Sequence, residues 1–140
     1  MPSGIYTIHK ADLMNGNVDL VNDVFNVALL TDSHPDAAGD LLSDDTWADV
    51  SANEISGTNY TAGGTAMSGT KSVTEAATTY WDTDADQEWL NATFTMYNIV
   101  IYDVTVGPNN LVCTIDTGEQ TVTTGTFTIQ WHANGITSIA

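Results

Sequence analysis

Residues 92–103, ATFTMYNIVIYD, set the strongest limit on what this chain can become. The run is apolar, β-branched and aromatic. Read with a period of two, it places Phe94, Met96, Val100 and Tyr102 on one face and Tyr97, Ile99 and Ile101 on the other. A strand with apolar side chains on both faces must be covered on both, which predicts a sheet buried inside a layered domain. Val24–Thr31 makes the same demand earlier in the chain and predicts a second, central strand.

Around these two runs the remaining strand signals are closely spaced. Residues 72–83 predict one strand or a hairpin, and Leu111–Asp116 and Gly125–His132 predict two more strands, the second with Phe127, Ile129 and Trp131 alternating against Thr126, Thr128 and Gln130. Asn134-Gly135 signals a tight turn, after which Ile136–Ile139 can return as a terminal strand. Short connections favour antiparallel pairing, because parallel strands need long crossovers. The expected fold is therefore mainly β within the α+β class, an antiparallel sandwich or barrel with an N-terminal helix and one short helix.

The helical signals lie in the first half. Residues 4–15 place Ile5, Ile8, Ala11 or Asp12, and Met14 on one face, with Ser3 as N-cap and Gly16 as a left-handed C-terminal cap. Residues 32–45 are rich in Asp, Gly and Pro and read as a surface loop. Thr46 and Asp49 form a capping-box pattern that starts a short helix over 46–55, and Gly57, Gly63, Gly64 and Gly69 then signal turns. One domain over residues 1–140 is expected, residues 1–16 forming an N-terminal helix or arm.

Charge excludes several functions. Lys10 and Lys71 are the only basic residues against eighteen Asp and Glu, a formal charge of -16. Phosphate contacts need clustered Lys or Arg, so neither nucleic acid nor an anionic membrane is an expected partner. The acidity reads first as solubility and self-repulsion between free copies. Cys113 stands alone in an apolar run and reads as a buried small hydrophobe, in keeping with folding in a reducing compartment. No apolar run approaches the ~18 residues of a membrane helix, and no export signal is expected.

Candidate chemistry is sparse. Asp82, Asp84, Asp86 and Glu88 alternate, so on an extended strand they line one side and form a candidate Ca²⁺ site. An EF-hand is excluded by Gln87 at the position needing Gly and Thr93 at the position needing Glu, and a solvated acidic loop is the expectation. Residues 64–72 resemble a phosphate loop, but Thr70 separates Gly69 from Lys71. His9, His34 and His132 lack ligand spacing, so no cofactor and no catalytic residue is expected. Trp47, Trp81, Trp89 and Trp131 sit beside apolar residues and read as core or subunit contacts; Trp81 and Trp89 are also the candidates for a sugar-binding platform.

Three blocks carry a family resemblance: GIYTIHKADLMNGNVDLVNDVFNVALLTDSH, TWADVSANEISGTNYTAGGTAMSGTKSVT and GTFTIQWHANGITSIA, together more than half of the chain. The most distinctive phrase is ANEISGTNYTAGG, residues 52–64. In these blocks the chain resembles the small virion proteins of tailed bacteriophages. The resemblance implies a non-enzymatic structural protein, folded in the host cytoplasm and placed on the capsid surface as a decoration or cement protein. It implies the major capsid protein as partner and a homotrimer; Met1–Lys10 is the expected shell-contacting segment, because a terminal arm can be ordered by a partner at modest cost. The alternatives are a tail, neck or head-fibre component of the same particle, or a carbohydrate-binding module.

Overall fold

The two apolar runs lie side by side at the centre of the computed structural model, which describes residues 3–31 and 40–139. The elements are β1 (Gly4–Ile5), α1 (Thr7–Asn15), β2 (Phe25–Leu30), α2 (Asp40–Ser43), α3 (Trp47–Val50), a 3-10 turn at Ser51–Asn53, β3 (Thr65–Ala66), β4 (Thr70–Glu75), β5 (Thr78–Thr83), β6 (Gln87–Asp103), β7 (Leu111–Ile129) and β8 (Thr137–Ile139). Every strand pair is antiparallel. A five-stranded sheet runs β1-β7-β6-β2-β3 and a three-stranded sheet runs β4-β5-β8.

Where β2, β6 and β7 run together, the larger sheet is covered on both faces, as its central strands require. One face carries Phe25, Val27, Leu29, Met96, Ile99 and Ile101 against Trp81 of the smaller sheet, and the Phe25 and Trp81 rings meet edge-on at 4.9 Å. The other face carries Tyr6, Ala28, Leu30, Val100, Tyr102 and Leu111 against Val50, with Trp47 stacked on Tyr102 at 4.6 Å. The molecule is a β-sandwich with helices on its outer side, the mainly antiparallel α+β fold expected from the strand pattern.

Several expectations need correction. Phe94 and Met96 share a cluster with Ile99 and Ile101, whereas Val100 and Tyr102 face the opposite cluster. The register shifts between Met96 and Asn98, and such an irregularity reverses which side chains point inward. The two strands predicted at 111–116 and 125–132 are one 19-residue strand, and β6 begins at Gln87, five residues before the apolar run. Residues 72–83 form a hairpin, with Ala76 left-handed in its turn.

The N-terminal segment is also built differently. Gly4 and Ile5 pair with Thr114 and Cys113, so α1 starts at Thr7 after Tyr6, and the Ser3 hydroxyl accepts from the Asp116 N–H at 2.9 Å in place of capping the helix. Gly16 ends the helix in the left-handed conformation, as expected. The helix buries His9 and Asp12 while Met14 is 88% exposed, because Asp12 is held inward by Asn110 Nδ2 at 2.7 Å. Met1 and Pro2 lie outside the described residues; from Ser3 onward the segment is part of the sandwich edge, not a free arm.

In the acidic stretch, residues 32–39 lie outside the described residues and α2 occupies 40–43, where a loop was expected. Asp49 Oδ2 accepts from the Thr46 N–H at 2.9 Å, which fixes the start of the predicted short helix, shortened to α3 and the 3-10 turn. The glycine-rich segment then lies against β2. A Cβ on Gly64, whose φ is +77°, would collide with the Val27 carbonyl, so only glycine allows this approach.

Candidate functional site

The outer half of the β6–β7 pair forms the site. From Gln87 to Met96 the strand alternates, burying Trp89, Ala92, Phe94 and Met96 and exposing Glu88, Leu90, Thr93 and Thr95. Phe127 and Ile129 of β7 point to the same inner side. There the rings of Tyr60, Trp89, Phe94 and Phe127 pack at centroid distances of 5.2–6.3 Å, with Phe94 and Phe127 edge-on. Tyr60 closes the cluster by donating to Glu54 Oε1 at 2.7 Å and accepting from the Leu29 N–H at 3.0 Å. Burial first, then the Glu54 charge, hold its hydroxyl far above the ordinary phenol range, so it stays a donor.

Beside this cluster lies an open cleft of about 460 Å³, lined by Ile99, Ile115, Phe127, Ile129, Trp131 and Ile136. Among the described residues no carboxylate or lysine lines it, in a chain of charge -16. Its titratable group is His132, whose Nδ1 accepts from the Asn134 N–H at 3.0 Å, and the buried indole N–H of Trp131 has no acceptor among the described residues. A tight turn forms one residue earlier than predicted, over His132–Gly135, where the Gly135 N–H donates to the His132 carbonyl at 2.8 Å. The strand after it, β8, pairs with β5 and not back onto β7, closing the smaller sheet next to the cleft.

The four candidate calcium ligands do not converge. Asp82 Oδ1 accepts from the Thr83 N–H at 2.8 Å, Asp84 pairs with Lys71 at 2.9 Å, Asp86 Oδ1 accepts from the Trp131 N–H at 3.0 Å, and Glu88 is exposed on β6 opposite Thr128. Asp84, Ala85 and Asp86 are exposed, as a solvated loop requires, and Asp84 and Asp86 also tie neighbouring segments. Among the described residues no group of three or more His, Cys, Asp or Glu side chains is arranged to hold a metal ion.

The other candidates are equally dispersed. Lys71 sits in β4, and its partner Asp84 raises its pKa. His9 is buried, and burial lowers its pKa to about 4 while Asp12 opposes the shift. It lines a cavity of about 60 Å³ with Ile5, Leu20, Trp81 and Ile139. His34 lies outside the described residues. Cys113 is buried in β7, and burial pushes its thiol up to about 12. Trp81 and Trp89 are 3% and 4% exposed, with Trp81 Nε1 donating to the Leu20 carbonyl at 2.8 Å, so neither offers a ring face to a sugar.

One site escaped sequence reasoning. Asp103, 2% exposed at the end of β6, accepts from the Thr105 and Val106 N–H groups at 2.8 and 3.2 Å. Burial raises its pKa, the two N–H groups oppose that, and the nearby Asp23 adds to it. The signal was present as an Asp ending an apolar strand, where its oxygens can cap the turn that follows.

No protein-family model, curated protein or solved structure matches this chain. The phage resemblance therefore rests on the three sequence blocks alone. Among the described residues no helix is long and apolar enough to cross a membrane.

Proposed function

We propose that this chain is a structural protein of a tailed bacteriophage particle that binds the outer surface of the capsid and stabilises it, a decoration or cement protein. The observation that carries the structural class is the use made of its polar groups. The Lys71–Asp84 pair, the Asp86 bond to the Trp131 backbone, the Asp12–Asn110 bond and the Glu54 contacts with Tyr60 and Gly63 all tie loops onto the sandwich. Side chains spent on holding segments in place serve a rigid contact domain. The virion assignment is supported by the sequence blocks at 4–34, 46–74 and 125–140.

Charge fits the same role. Free copies at -16 repel one another, so they remain soluble until a surface offers compensating charge or apolar contact. A trimer would engage the shell at three points, and effective concentration converts modest contacts into durable attachment.

The test is the copy number in purified particles, measured by quantitative mass spectrometry, together with heat stability of shells with and without the protein. Copy numbers that scale with the major capsid protein, and shells that assemble normally but rupture at lower temperature until the protein is added back, are expected. A small ring multiple in particles whose heads are equally robust would replace this reading with a tail, neck or fibre role.

A further inference from the structure

The strand order leaves β7 with a long open edge. From Thr117 to Ile129 its only strand neighbour among the described residues is β6, since β1 pairs no further than Thr114 and Ser3 meets Asp116. At ~3.3 Å per residue this edge runs roughly 40 Å. Its outward N–H and C=O groups are a template for another strand.

Two of the usual protections of such an edge, proline and lysine, are missing here, although irregularities in the pairing with β6 break it up. The segment has no Pro and no Lys, and its one charge is Glu119. Thr121, Val122, Thr123, Thr126, Phe127 and Ile129 are residues that favour extended backbone. Gly118 and Thr124, with φ of 65° and 46°, interrupt the edge without ending it. The uncharged cleft lies along the same strand, where alternate side chains of an added strand would find Phe127, Ile129 and Trp131.

Charge selects the occupant. Carboxylates flank both ends of the β7 ribbon, while the middle of the edge is neutral. At one end stand Asp116 and Glu119, which accept from the Gly118 N–H and the Tyr97 hydroxyl; at the other stands Asp86, which accepts from the Trp131 N–H, with Glu88 of the neighbouring β6. A second copy would bring a further -16 to this surface, whereas a segment with basic ends meets complementary charge. We propose that the Thr117–Ile129 edge of β7 is the docking site for an extended segment of a different protein, with alternating apolar side chains along it and a basic residue at each end. The proposal concerns the mode of attachment and does not depend on which particle or complex supplies the partner.

The experiment titrates the full chain with a synthetic peptide of alternating threonine and isoleucine, capped by lysine at each end and N-methylated at every second amide so that it presents one pairing edge. Site-resolved amide exchange is the readout. Bound peptide should slow exchange of outward amides between Thr117 and Ile129 about tenfold or more and leave Leu111–Thr114 unchanged. The same peptide capped by glutamate should bind about tenfold more weakly at low salt. Thr126→Lys, on an exposed edge position, should weaken the lysine-capped peptide while keeping the native circular dichroism spectrum. Absence of protection at this edge, or equal binding of the two peptides, would overturn the proposal. Protection that instead rises with protein concentration alone would assign the edge to self-pairing and overturn it as well.

Discussion

The two halves of the β6–β7 pair share strands and pairing partner but not environment. Near Asn98–Asp103 and Leu111–Thr114, β2 and β1 continue the sheet on both sides, and both faces are covered. Beyond Tyr97 and Thr117 the same strands form a ribbon with one buried face, one exposed face and an open edge on β7. The first half holds the fold together. The second half is where the molecule has surface to offer. One long hairpin thus joins core and contact site, and the bulges between the halves are what let each present its own apolar face.

The largest expected effect breaks the covered half. Ile99→Asp places an unpaired carboxylate in the core, at a cost of several kcal/mol against the roughly 5–15 kcal/mol that holds a domain together, and should abolish folding. Soluble, cooperatively melting Ile99→Asp protein would show that the buried half is misassigned. Next comes the inner face of the ribbon. Phe94→Ala removes a ring that touches Tyr60, Trp89 and Phe127 and should cost about 3–5 kcal/mol in urea unfolding; a loss near zero would mean that the ribbon does not share the core.

Acid separates the regions in another way. His9, packed at the covered side, has its pKa lowered to about 4 from an unfolded value of 6.5. Between those values the unfolded chain binds a proton that the folded chain does not, so His9 favours folding fully above pH 6.5 and loses that contribution as the pH falls, by up to ~3 kcal/mol. Asp103 acts with the opposite sign, since its raised pKa favours the fold at low pH and its contribution is lost as the pH rises through the folded value. Urea midpoints across this range should fall with acid in the native chain and show a flatter trend in His9→Gln. An unchanged slope in His9→Gln would place the acid sensitivity elsewhere. The smallest effect is expected at Thr95→Asp, on the exposed face of the ribbon, which loses a hydroxyl contact with Thr121 and should cost about 1 kcal/mol or less. A loss as large as that of Phe94→Ala would mean that this face is covered.

The covered half was legible because its side chains are apolar on both faces, a pattern few other structures accept. Val24–Thr31 and residues 92–103 declare themselves in this way, and the Asn134-Gly135 pair marks a turn that the structure places one residue earlier. The ribbon was half legible. Residues 117–124, TGEQTVTT, carry no period because most of their side chains face water, so the continuity of β7 is set by pairing with β6 and not by a local signal. The parity reversal near Tyr97 was hidden for a related reason, since a bulge is a property of two strands together. The roles of Asp84 and Asp86 were out of reach because Lys71 and Trp131, which engage them, are distant in sequence. The helix misled for the opposite reason: its apolar spacing pointed to Met14, yet Asn110 draws Asp12 inward.

The contrast between the halves is tested most directly by amide exchange along β7 in the free protein. Cys113 and Thr114, paired with both β1 and β6 in the covered sheet, should exchange only through global unfolding. Outward amides between Thr117 and Ile129 should exchange faster by orders of magnitude, alternating with slower ones that bond to β6. Uniform, slow exchange along the whole of β7 would mean that its edge is already covered, and would contradict the assignment of that edge as the contact surface.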